Sequence, residues 1–101
     1  MKIPTSIKIK GKRWQIKHKW NLKDDGHNGV DGLCDYKLKI IYLDRSLVKA
    51  DKEATLLHEI FHAIIYEVGL HQTSLEDDVE ELIVENISMF MLDTFNIRLK
   101  R

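Results

Sequence analysis

The 101-residue chain contains one cysteine, one proline and no long apolar run. A single cysteine, Cys34, excludes an internal disulfide and any zinc site assembled from several thiolates. No stretch approaches the roughly 18 consecutive apolar residues of a membrane-spanning helix. Near the N-terminus, Ile3-Pro4-Thr5-Ser6-Ile7-Lys8 lacks the uninterrupted apolar core of a secretory leader, so a cytoplasmic protein without a membrane partner is expected. Net charge is missing as well, with 16 Lys and Arg against 16 Asp and Glu. The total therefore gives no pull toward nucleic acid.

The charge is unevenly distributed. Residues 1–50 hold 12 Lys and Arg against 5 Asp and Glu, and residues 51–101 hold 4 against 11. The lysines of the first half alternate with apolar residues rather than cluster, which suits the solvent face of strands better than a phosphate-binding patch. A nucleic-acid face built from Lys8, Lys10, Lys12, Arg13, Lys17 and Lys19 is the weaker alternative, because no helix-turn-helix or zinc-finger pattern accompanies it.

What is present divides the chain in two, within a single domain over residues 1–101. In the first half Ile7 and Ile9 alternate with lysines, Gly11-Lys12 marks a turn, and Trp14, Ile16, His18 and Trp20 alternate with polar residues. A period of two predicts a hairpin with one buried face. Asn21 to Gly32 is dense in Asp, Asn and Gly and reads as loop. A calcium loop counted from Asp24 fails there, since Gly26 and Asp35 occupy the third and twelfth positions. Leu33–Tyr36 and Leu38–Leu43 read as two further strands, the second apolar on both faces and therefore central.

The second half reads as two helices. Asp51 is the expected N-cap of the first and Gly69 its C-terminal glycine. Ser74 opens the second, with Glu76, Asp77 and Asp78 at its positive end, and it runs to about Thr94. Strands followed by helices define an α+β fold of three to four strands, antiparallel or mixed, and two helices.

The first helix carries His58-Glu59-Ile60-Phe61-His62. Two histidines four apart project from one helical face and can bind one Zn²⁺. Glu59, one residue round from His58, can reach a water on the metal without being a ligand, as a general base requires. Buried in an apolar helix, these three groups would be costly to desolvate without a cation.

A catalytic zinc site needs a third protein ligand. Val68 stands where a metzincin would place its third histidine, so that class fails. His71 could serve as it does in SprT-like proteases, but it also reads as a plain loop histidine. The remaining candidates are glutamates of the second helix. A helical wheel centres the apolar stripe on Ile83, Val84, Ile87, Phe90 and Met91, with Glu80 pointing into it and Glu81 and Glu85 on its flank. The wheel does not choose between Glu80 and Glu81. Ser88, being small, would let the two helices approach closely.

The stretches Thr55-Leu56-Leu57-His58-Glu59-Ile60-Phe61-His62-Ala63 and Glu80-Glu81-Leu82-Ile83-Val84-Glu85-Asn86-Ile87-Ser88 resemble the small gluzincins. These include the minigluzincins, phage and mobile-element metallopeptidases, and ImmA/IrrE-like proteins. The resemblance implies a zincin-like minimal metallopeptidase core and a glutamate ligand on the helix after the active-site helix. A polar residue commonly stands four positions after that ligand and a small one seven positions after it. Glu81 meets both conditions through Glu85 and Ser88, although Glu85 replaces the usual Asp or Asn. On that resemblance Glu81 is the third ligand and Glu85 orients His58 or the ligand set. It also implies that a sheet edge receives the substrate as an added strand. Leu33-Cys34-Asp35-Tyr36 is the candidate edge.

The expectation is then a monomeric zinc metalloendopeptidase acting on a protein or peptide. The rival is a zinc-binding regulatory or interaction module with little turnover, a reading favoured by the chain's small size.

Overall fold

The computed structural model describes residues 3–69 and 77–95. The fold is α+β, a four-stranded mixed sheet followed by two helices. The expected helix start at Ser74, with Glu76, and the alternative ligand His71 lie outside the described residues.

Strands β1 (Ser6–Ile9) and β2 (Lys12–Lys19) pair antiparallel. Their turn is made by Lys10 and Gly11, at φ of 50° and 78°, one residue earlier than the sequence suggests. Two successive positive φ angles match the right-handed twist of a hairpin. Along these strands Ile9, Trp14 and Ile16 are buried while Lys8, Arg13, Gln15 and Lys17 are exposed. The alternation stops at Lys19. Trp20 was expected on the buried face, but it lies in the turn after β2 and is 66% exposed, with Arg45 over its ring.

Strands β3 (Gly32–Asp35) and β4 (Ile40–Asp44) complete the sheet in the order β1-β2-β4-β3. The loop after β2 carries the chain past β4, so β3 becomes the far edge. β4 then inserts between them, antiparallel to β3 and parallel to β2. A central position explains its two-sided apolar character: Ile40, Ile41 and Leu43 are all buried. Leu38 was expected to start this strand; it sits instead in the tight turn between β3 and β4 and is exposed. Asp35 Oδ1 accepts its backbone N–H at 2.9 Å, and a positive φ at Lys39 reverses the chain.

Asp44 ties the long loop to the sheet end. Its Oδ2 accepts the Leu22 N–H at 3.0 Å, and its Oδ1 accepts from the Ser46 N–H and hydroxyl. These bonds hold its carboxyl below the ordinary aspartate range.

Helix α1 (Lys49–Glu67) lies on β3, β4 and β1. Its N-cap lies three residues before the expected Asp51. Val48 is the N-cap, without a side-chain bond, and Asp51 falls in the first turn, where a carboxylate suits the helix dipole. Gly69 ends the helix as expected, at φ +86° with its N–H on the Tyr66 carbonyl. Leu56 and Ala63 face the sheet and close a core with Trp14, Ile16, Ile41 and Leu43. Each of the larger of these side chains contributes about 1.5–3 kcal/mol by burial.

Helix α2 (Asp77–Phe95) packs against α1. Its inward face overlaps the predicted apolar stripe at Glu80 and Val84 but is shifted away from the stripe's centre. Glu80, Val84 and Ser88, spaced by four, are buried, whereas Ile83, Ile87 and Phe90 are 39%, 40% and 55% exposed. The helix is rotated so that the row of Glu80, Val84 and Ser88, with Glu81 and Glu85 beside it, meets α1. Partners for those carboxylates on α1 account for the rotation. No helix among the described residues is long and apolar enough to cross a membrane.

Candidate metal centre

A regular helix places His58 and His62 one turn apart on the face of α1 that meets α2. Their ring centroids are 5.0 Å apart. Glu81 stands opposite both. Its Oε1 is 2.6 Å from His58 Nε2, and its Oε2 is 3.1 Å from His62 Nε2. The other ring nitrogens face different carboxylates: His58 Nδ1 is 3.1 Å from Glu85 Oε2, and His62 Nδ1 is 2.6 Å from Glu80 Oε2.

Three carboxylates thus surround two imidazoles, with a defined division of contacts. A neutral histidine that donates Nδ1–H to Glu85 or Glu80 exposes a lone pair at Nε2. That lone pair points at an oxygen of Glu81, which is also an acceptor. A proton or a metal ion shared between ring and carboxylate relieves that opposition of acceptors. The donor set suits the metal: two Nε2 atoms and one carboxylate, with their ligand atoms within 4.8 Å of one another. Imidazoles whose second nitrogen is held by a carboxylate are a usual arrangement at zinc. His58 and His62 are largely buried, while the Glu81 side chain is 57% exposed and opens the site to solvent.

The two glutamates left open by the wheel both belong to this site, in different positions. Glu81 faces the Nε2 atoms of both histidines. Glu80, the alternative ligand, turns instead to the outer nitrogen of His62, where it is buried with an 11% exposed side chain. The wheel already placed Glu80 within the apolar stripe, and a carboxylate there needs a partner. Glu85 faces His58, the first of the two partners its spacing allowed.

Glu59 is buried at the same place on α1. Burial pushes its pKa up, against the opposing pull of His62, the Cys34 thiol and His58. Cys34 Sγ is 3.3 Å from Glu59 Oε1 and 3.3 Å from its backbone oxygen. The sequence places Cys34 on the candidate substrate edge, and no local signal reveals that its thiol meets a carboxylate 25 residues away. Burial, with Glu59 beside it, raises the thiol pKa strongly.

The candidate substrate edge is β3, shifted by one residue to Gly32–Asp35, so Tyr36 falls just beyond it. Tyr36 stacks on Tyr66 at 4.8 Å and meets Trp14 edge-on, and burial raises its hydroxyl pKa. Between β3, α1 and α2 lies an open cleft of about 770 Å³, lined by Gly32, Leu33, Cys34, His58, Glu59, His62 and Glu81 among others. The calcium-loop reading finds no support, since Asp24 Oδ1 is engaged by the backbone N–H groups of Gly26 and Asn28.

Comparison of the chain with family models, with curated proteins and with solved structures gives no significant match to any of them.

Proposed function

We propose that the protein is a zinc-dependent metallopeptidase that hydrolyses peptide bonds. The observation that carries this reading is the convergence of His58 Nε2, His62 Nε2 and the Glu81 carboxylate beside the buried Glu59. A zinc ion held by the three would lower the pKa of a water toward about 7 and polarise a carbonyl. Glu59 accepts the proton of the attacking water on its carboxylate and returns it to the leaving nitrogen. Glu80 and Glu85 keep the imidazoles in the tautomer that leaves Nε2 free for the metal.

The sheet edge supports a peptide rather than a compact small substrate. The Asp44 N–H bonds to the Asp31 carbonyl at 2.8 Å. In an antiparallel ladder residues alternate in direction, so Leu33 and Asp35 also turn their backbone groups to β4. Gly32 and Cys34 turn theirs to the outer edge, which no strand pairs among the described residues. An extended peptide added there would lie along the cleft that holds the histidines.

The test uses zinc-loaded wild type and Glu59→Gln with an unfolded protein as substrate. Wild type should produce fragments, and the variant should bind zinc equally and produce none. Equal cleavage by the variant refutes the mechanism. One zinc per chain with no cleavage of any peptide refutes the peptidase reading in favour of a zinc-binding interaction module.

A further inference from the structure

Gly32 and Cys34 are two residues apart on β3, so they point from the same face of the sheet, toward α1. Both meet Glu59. A Cβ built on Gly32 would stand 2.9 Å from Glu59 Cγ, 3.0 Å from Oε2 and 2.6 Å from Thr55 Cγ2. The strand backbone therefore lies against one side of the Glu59 side chain more closely than any other residue would permit. Two residues further along the strand, Cys34 Sγ stands 3.3 Å from the other carboxylate oxygen, Oε1, and 3.3 Å from the Glu59 backbone oxygen. The one thiol hydrogen is shared by two acceptors of the same residue.

We propose that β3 is the positioning element of the general base, with Gly32 setting the approach of Glu59 and the Cys34 thiol setting the orientation of its carboxylate. The proposal rests on the reading of Glu59 as the base. Neither residue needs to touch the substrate through its side chain. The same two residues turn their backbone groups to the outer edge of the described sheet, so a peptide strand added there is registered against the carboxylate that acts on it. Alignment of this kind governs kcat, because small displacements of a catalytic group cost large factors in rate.

Cys34 is the only cysteine, so the S–H stretching band in the infrared reports this thiol alone. In the full chain, Glu59→Gln and Glu59→Ala should each move the band to higher frequency. An amide oxygen accepts more weakly than a carboxylate, and alanine leaves only the backbone carbonyl. A band that stays in place in both variants overturns the proposal. Kinetics supply a second readout. Cys34→Ala should lower kcat about tenfold, with KM and zinc content unchanged, and Cys34→Ser should restore most of it. An unchanged kcat in Cys34→Ala also overturns it. Cleavage by wild type with an unmoved band refutes the positioning alone. A shifted band in a wild type that cleaves nothing refutes the peptidase reading and, with it, the role given to the base.

Discussion

His62 Nδ1 lies 2.6 Å from Glu80 Oε2, with both side chains only 11% exposed. This contact makes Glu80 a buried group with a partner and turns the other nitrogen of the ring toward Glu81. Two consecutive glutamates thereby serve one imidazole from its two ends.

Zinc binding separates their roles. Glu81→Ala removes a ligand and should leave zinc well below one per chain after dialysis. Glu80→Gln keeps a hydrogen-bond acceptor for His62 and should still reach one zinc per chain at saturation, with affinity weakened about 10–100-fold. Metal titration followed by elemental analysis measures both. Full zinc retention in Glu81→Ala together with its loss in Glu80→Gln would exchange the two assignments.

Gly32→Ala should destabilise the fold, because the added Cβ meets Thr55 Cγ2 at 2.6 Å and Glu59 Cγ at 2.9 Å. Overpacking of this kind costs about 1–3 kcal/mol. Thr55→Ser removes the closest methyl, so the double variant should recover part of that loss, and urea unfolding of the four proteins gives the coupling. Strict additivity of the two substitutions would show that β3 and α1 do not meet as described.

Glu67 accepts from Trp14 Nε1 at 2.9 Å and from Lys39 Nζ at 2.8 Å. These partners hold its pKa below the ordinary value of 4.5, the Lys39 bond most of all. A carboxyl with a lowered folded pKa contributes stability that is present above its unfolded value and lost as pH falls through the folded one. Glu67→Ala leaves the indole N–H of a fully buried tryptophan without its acceptor and should cost about 1–3 kcal/mol at neutral pH. The stability difference from wild type should be flat above about pH 4.5 and shrink below it. A difference that grows on acidification would contradict the contact.

The legible part of this molecule is what one element decides by itself. Ile9, Trp14 and Ile16 declare a strand face because a pleated chain repeats every two residues. His58 and His62 share a helical face because 3.6 residues make a turn. Gly69 ends α1 because it alone accepts the required φ without a steric cost. The central place of β4 was legible too, since only a strand covered on both sides is apolar on both.

Trp20 and Leu38 show where local pattern stops. Each extends a period-two run, yet the strand ends before one and begins after the other, and both are exposed. The rotation of α2 is the larger case. Counting apolar residues centres the inward face on Ile83, Val84 and Ile87, whereas the structure keeps Val84 inward, adds Glu80 and Ser88, and leaves Ile83 and Ile87 partly exposed, with three carboxylates facing two imidazoles. The sequence by itself determined the pair of histidines, the glutamate between them and the order of the elements. Tertiary structure decided which glutamate faces Nε2, which hold Nδ1, and that a glycine and a thiol of β3 enclose Glu59. Spacing within a helix is set by its own geometry, but the rotation of one helix on another, and the register of a strand over it, depend on long-range packing and charge.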